Sequence, residues 1–149
     1  MSGPRPRSRR RRDTERRLAH DIDVWVATAA LDGAPYLVPL SFDWDGRVLL
    51  LATAADSPTA RNLTASPRAR LALGHTRDVV MIDGDVEVRP MDALSPELGD
   101  RFAARTGFDP RVLAAPYSWF RIVPGRIQAW REVDELPERE LMHDGRWLV

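Results

Sequence analysis

The sequence predicts a mainly β fold with minor α content, built as a small antiparallel Greek-key barrel. Three observations carry this prediction: short apolar runs recur along the chain, aspartate-glycine pairs separate the first of them, and one or two helical crossovers interrupt the series. Taken in order, Thr14 to Asp21 reads as a short amphipathic helix with Leu18 and Ile22 facing inward. Val24 to Ala30 is a strand, and Asp32-Gly33 is a tight hairpin signal. Pro35 to Trp44 returns as a second strand, and Pro39 inside it implies an edge or a bulge. Asp45-Gly46 makes the next hairpin and leads into Arg47 to Thr53. Ser57 stands at a helix N-cap and Pro58 at the first helical position, until Pro67 stops the turn. Arg68 to Leu73 and Val79 to Val88 follow as strands, with a bend at Gly84. Ser95-Pro96 opens a helix that runs to about Thr106 and ends at Gly107. Trp119 to Val123 and Arg126 to Val133 supply the last strands.

At 149 residues the chain is one domain with room for a proper core. Its 22 basic residues are all arginine, which excludes Schiff-base lysine chemistry and a P-loop lysine. Without cysteine there is no thiol catalysis, disulfide or zinc–thiolate site. His20, His75 and His143 are scattered, so neither a metal site nor a Ser-His-Asp triad is expected. No apolar run approaches the ~20 residues of a membrane span, and no signal peptide is visible, so a cytoplasmic protein is expected.

The zero net charge hides an asymmetry. Residues 1–17 hold eight arginines against Asp13 and Glu15, a balance of +6, while the other 14 arginines face 20 acids, a balance of −6. With no apolar residue after Met1 before Leu18, the segment 1–17 reads as a disordered arginine-rich tail. It would attract nucleic acid electrostatically, but the acidic balance of the rest argues against that partner.

The most informative stretch is Arg47 to Leu73, RVLLLATAADSPTARNLTASPRARLAL. It reads as strand, loop, short helix and strand, with anion-binding chemistry at the helix start. A helix N-terminus offers free N–H groups and partial positive charge to a phosphate, and Arg61 could add a bidentate contact. The competing reading is a surface helix that is simply well capped.

Three blocks in order resemble the pyridoxamine-phosphate-oxidase-like superfamily of flavin-binding split β-barrels. They are WVATAALDGAPYLVPLSFDWDG, LLLATAADSPTARNLTASPRARLAL and WFRIVPGRIQAWRE, with DVVMIDGDVEV between the last two. The resemblance covers about residues 18–149 and implies a six-stranded antiparallel Greek-key split barrel with short flanking helices, working as a homodimer. It implies an FMN- or F420-binding domain whose ring lies between two subunits. Val38, Pro39, Leu40, Ser41 and Phe42 match the strand whose backbone lines the ring. Thr53 and Ser57 match hydroxyls on the phosphate and ribityl chain, and Arg61 and Asn62 match the basic and amide residues of the same loop. Trp130 matches an aromatic that reaches the other subunit's cofactor; the plain alternative is a core tryptophan.

The pattern departs at Thr59, where the family often has lysine, so phosphate neutralisation would fall to Arg61, the helix start and either Arg68 or Arg70. The chain also lacks the arginine-rich carboxyl-terminal motif of the vitamin-forming oxidases, so pyridoxamine-phosphate oxidation is not implied. The resemblance implies an oxidoreductase moving hydride between FMN or F420 and a small organic substrate. SPTARNLTASPRARLAL is similar to a branch regarded as F420-dependent, which tilts the choice towards F420. No acid–base pair stands out: alternation puts Asp83 and Asp85 together on a solvent face, and His75 and Arg77 are the nearest candidates for a proton donor or substrate contact. The alternative function is a non-catalytic flavin or heme carrier.

Overall fold

The structure, a computed structural model, describes residues 3–149. In chain order the elements are α1 (Arg7–His20), β1 (Asp23–Ala29), β2 (Pro35–Trp44), β3 (Leu49–Ala54), α2 (Pro58–Ala65), β4 (Arg68–Leu73), β5 (Val79–Pro90), α3 (Pro96–Thr106), β6 (Tyr117–Trp130), β7 (Glu140–His143) and β8 (Arg146–Trp147). Strand order is β3-β2-β1-β4-β5-β6, and β3 pairs with β6, which closes a six-stranded antiparallel barrel. The spatial order 3-2-1-4 is a Greek key, with α2 carrying the crossover from β3 to β4, which lies beside β1. One face of β6 is shared along its other edge: residues 117–122 bond β3, while Ile127 and Gln128 bond β7.

The interior follows strand alternation. Val24 and Val26, Leu49 and Leu51, Leu71 and Leu73, Val80 and Ile82, and Phe120 and Ile122 point into one core that α1 joins through Leu18. A smaller cluster on the outer side of β3 and β6 lies under α3, where Phe102 meets Trp119 edge-on at 5.2 Å. The hairpin after β1 needs Gly33 at φ +88° and that after β2 needs Gly46 at φ +97°, as their aspartate-glycine pairs predict.

Three expectations are corrected. The two closing strands are a single strand, β6, because Pro124 and Gly125 form a bulge that β5 absorbs between Asp83 and Gly84. Ile22 is 45 % exposed, so only Leu18 of the proposed inward pair reaches the core. The segment expected as a disordered tail is helical from Arg7; Met1 and Ser2 lie outside the described residues.

Arginine is a good helix former, and Arg9–Asp13 and Arg11–Glu15 pair at i,i+4, but what holds α1 is long-range. Arg10 is buried, and its Nη1 donates to the carbonyls of Ala129, Glu135 and Glu138 at 3.2, 3.3 and 3.2 Å. Arg5 Nε donates to both oxygens of buried Glu135 at 3.0 Å, and its Nη1 to Asp13 at 2.9 Å. At the other end of α1, Arg105 of α3 donates to the carbonyls of Leu18 and Asp21 and stacks over Phe42 at 4.8 Å.

Burial alone would push the Glu135 carboxyl up, but the hydrogen bond and charge of Arg5, with Arg10 and the Arg131 N–H, outweigh it and hold it below the ordinary 4.5. Since the native value is the lower one, its stabilisation is complete above pH 4.5 and disappears as pH falls through the native value. Urea unfolding across the acid range should show the wild type losing stability below pH 4.5 more steeply than Glu135→Gln; parallel curves would contradict this. At the bulge, a Cβ on Gly84 would meet Ile122 Cγ2 at 2.7 Å and the Val123 carbonyl at 2.8 Å. Gly84→Ala should therefore cost about 1–3 kcal/mol, a fall in Tm of roughly 3–10 °C by calorimetry.

Candidate functional site

The ladder between β2 and β3 is short. Phe42, Asp43 and Trp44 meet Leu51, Leu50 and Leu49, and there the pairing ends. Ala52 to Ala54 continue against β6 alone, while Pro35 to Ser41 continue against β1 alone. The two strands therefore part, and β2 is left with one edge free of strand pairing over residues 35–41. Pro39, which gives no N–H to any ladder, is exposed in this segment.

Val38 and Leu40 lie opposite Val26 and Val24, on the inward-facing side of β2, and both are half-buried. Ser41 Oγ donates to Asp23 Oδ1 at 2.7 Å. Phe42 differs from its neighbours: its side chain is fully buried in the core and its N–H donates to the Ile22 carbonyl at 2.8 Å. It marks the inner limit of the opening, and its side chain serves the core.

The turn from β3 into α2 follows Ala54, at the end of β3 that lies away from the Phe42–Leu51 junction. Ser57 caps α2, its Oγ accepting from Ala60 N at 3.1 Å, and Thr53 Oγ1 stands 3.5 Å from the same hydroxyl. Ser57 also gives its carbonyl to Arg61 N, and Pro58 has no N–H. Of the first helical turn, Thr59 alone keeps an amide without a partner among the described residues. Thr59 itself is 2 % exposed, so it does not stand where a lysine could reach an anion. Arg61 is exposed and its Nη1 donates back to the Asp56 carbonyl, which curls the guanidinium over the loop and leaves its other nitrogens without a partner among the described residues. Asn62 faces the other way, its Nδ2 donating to Thr28 Oγ1 of β1 at 3.0 Å.

One polar neighbour was not singled out from sequence: Ser118 sits opposite Thr53 in the β3–β6 register. Only the pairing of two distant strands brings these hydroxyls together, so no local pattern announces it.

Other candidates fall elsewhere. Arg68 and Arg70 lie past the far end of α2, about 12 Å of helix from Ser57, where they face Asp85 and Asp83 across the β4–β5 ladder. The Arg70 guanidinium, held by its hydrogen bond to Asp83, is raised above its ordinary value, so both pairs form a charged outer face and neither arginine joins Arg61. That face lines a cleft of about 1050 Å³ that reaches Arg126 and His143, and neither the β2 edge at residues 38–42 nor Thr53, Ser57, Arg61, Asn62 or Trp130 lines it. Trp130 ends β6, twelve residues from Ser118 and on the order of 40 Å away along the strand. It pairs in register with Val79, so the β4–β5 loop with His75 and Arg77 lies at its end of the barrel, where Arg77 meets Glu132 at 3.3 Å. Within one chain, Trp130 and the Thr53–Ser57 turn cannot touch one mononucleotide-sized ligand. No helix among the described residues is long and apolar enough to cross a membrane.

Known proteins share this fold. The structure superposes on an F420 reductase with a TM-score of 0.64 at 21% identity, covering 76% of this chain and 94% of that one. An FAD-binding protein from Mesorhizobium loti gives 0.64 at 22% identity, covering 78% and 89%. HupZ of Group A Streptococcus gives 0.63 at 18% identity, covering 80% and 94%. At such identities the likeness is one of fold. Among curated proteins none matches the sequence. The pyridoxamine 5'-phosphate oxidase family, however, matches residues 15–131, from within α1 through the whole six-stranded barrel, and the chain belongs to that family.

Proposed function

We propose that this protein is an oxidoreductase that binds FMN or F420 in the gap between β2 and β3 and passes hydride between the cofactor and a small organic substrate. The observation that carries the reading is the parting of these strands directly above the Thr53–Ser57–Arg61 turn. Each half of the gap suits one part of such a cofactor. The unpaired edge of β2 at Val38 to Ser41 offers backbone N–H and C=O groups to a flat polar ring, and the half-buried Val38 and Leu40 exclude water beside it. At the turn, the Thr53 and Ser57 hydroxyls and the Arg61 guanidinium offer donors to a phosphate. When bound, the cofactor supplies the hydride chemistry; this chain orients it and shields it.

Two features support a homodimer. Trp130 is too far from the turn to serve the same subunit's cofactor, so its indole is offered to a second copy. Around the gap, Trp25 is 48 % exposed, Leu37 59 % and Leu31 84 %, an apolar surface that a partner subunit would cover. F420 is favoured over FMN by the α2 block of the sequence and by the F420 reductase among the fold relatives. FAD enters as a third candidate because another relative is named for it.

Titration of the purified protein with FMN, FAD and F420, followed by quenching of tryptophan emission, tests the proposal. Micromolar or tighter binding of one cofactor is expected. Arg61→Ala should weaken it about 10- to 100-fold, the worth of a lost charge-assisted phosphate contact. Absence of binding to all three would overturn the reading, and binding without turnover by any reductant would identify a carrier.

A further inference from the structure

Trp130 is gripped on both sides by the arginine-rich N-terminal segment. Before it, the Ala129 carbonyl accepts from Arg10 Nη1 at 3.2 Å, and the same nitrogen holds Glu135 and Glu138 of the following loop. After it, Arg131 N donates to Glu135 Oε1 at 3.3 Å, and Glu135 is itself held by Arg5. Beside it, Val79 is its register partner, and the adjacent Asp78 takes Arg17 Nη1 on its carbonyl at 2.9 Å and Arg131 Nε on its carboxylate at 3.2 Å. Over the ring, Arg139 stands 5.5 Å from the centroid with its Nε on Gln128 at 3.0 Å.

This is a costly way to dock a helix. Arg10 is 4 % exposed and Glu135 2 %, so both charges have left water, and apolar side chains of similar volume would dock α1 at least as firmly. What directional bonds to named carbonyls add is a fixed geometry, and those to Ala129 and Asp78 bracket a single tryptophan and its register partner.

We infer that Arg10, with Arg5 and Arg17, is a positioning residue for Trp130, setting the pose in which its indole meets the cofactor of a second subunit. The inference rests on the proposed function, in which Trp130 makes that contact. Its test is a double-mutant cycle on the full chain, with FMN and F420 as ligands. Trp130→Phe should weaken binding about 3- to 10-fold, the worth of an aromatic contact. Arg10→Gln should weaken it by a similar factor, and the double variant should be no worse than Trp130→Phe, because an indole already removed cannot be misplaced.

Multiplied losses in the double variant would overturn the inference alone. A Trp130→Phe variant that binds as wild type overturns the cofactor reading of Trp130 and the inference with it. A separate readout needs no ligand: the emission of Trp130, taken as the difference between a protein and its Trp130→Phe counterpart, should shift in Arg10→Gln. An unchanged difference spectrum overturns the positioning role. If Arg10→Gln does not fold, Arg10→Lys enters the same cycle under the same criteria, since it keeps the charge but loses the planar guanidinium.

Discussion

β3 is paired with β6 along all six of its residues but with β2 along only three. β2 has ten residues against the six of β3, and it runs on past the ladder the two share. From Ser41 back to Pro35 it pairs with β1 alone. The proposed cofactor site is arranged around that parting: the free edge of β2, the hydroxyls and arginine of the β3–α2 turn, and the apolar surface that lies outside. The far end of the molecule has the complementary arrangement, since the stretch of β6 that β3 does not reach is taken up by β7.

Charge does structural work here that apolar contacts would normally do. Buried Arg10 binds three main-chain carbonyls while buried Arg5 binds carboxylates, and Arg105 takes the C-terminal carbonyls of α1 as Arg10 takes its own. A guanidinium presents several donors in one plane, so a single buried residue can satisfy the end of β6 and two carbonyls of the loop that follows it. For a protein without lysine this is a consistent solution, because arginine keeps its charge when buried where lysine would tend to lose it.

The barrel was legible in the sequence because its signals are local. Alternation marks β1, β4 and β5, aspartate-glycine pairs mark the first two hairpins, and Ser57-Pro58 and Gly107 mark helix ends. The β7–β8 hairpin could have been read too, since Asp144-Gly145 supplies the two positive φ angles of its turn. It was missed because its strands are four and two residues long, too short for periodicity. Of the site, the Ser57 cap followed from the residues and its grouping with Thr53 from the family resemblance, whereas Thr59 burial and the Ser118–Thr53 pairing depend on contacts between remote segments. The N-terminal segment misled for a clear reason. Composition treats arginine as solvated, yet Arg5 and Arg10 find their partners near residue 135.

That remoteness has a bearing on how the chain reaches its folded state. Beyond Arg10, Arg7 bonds the Glu140 carbonyl, and Arg11 bonds the Val149 carbonyl and stacks on Trp147 at 4.5 Å. An isolated helix of 14 residues is marginal in water. The side chains of Arg7, Arg10 and Arg11 therefore find their main-chain partners only among residues 129–149. That half of α1 is among the last parts to settle, because docking it closes loops of 119 to 138 residues.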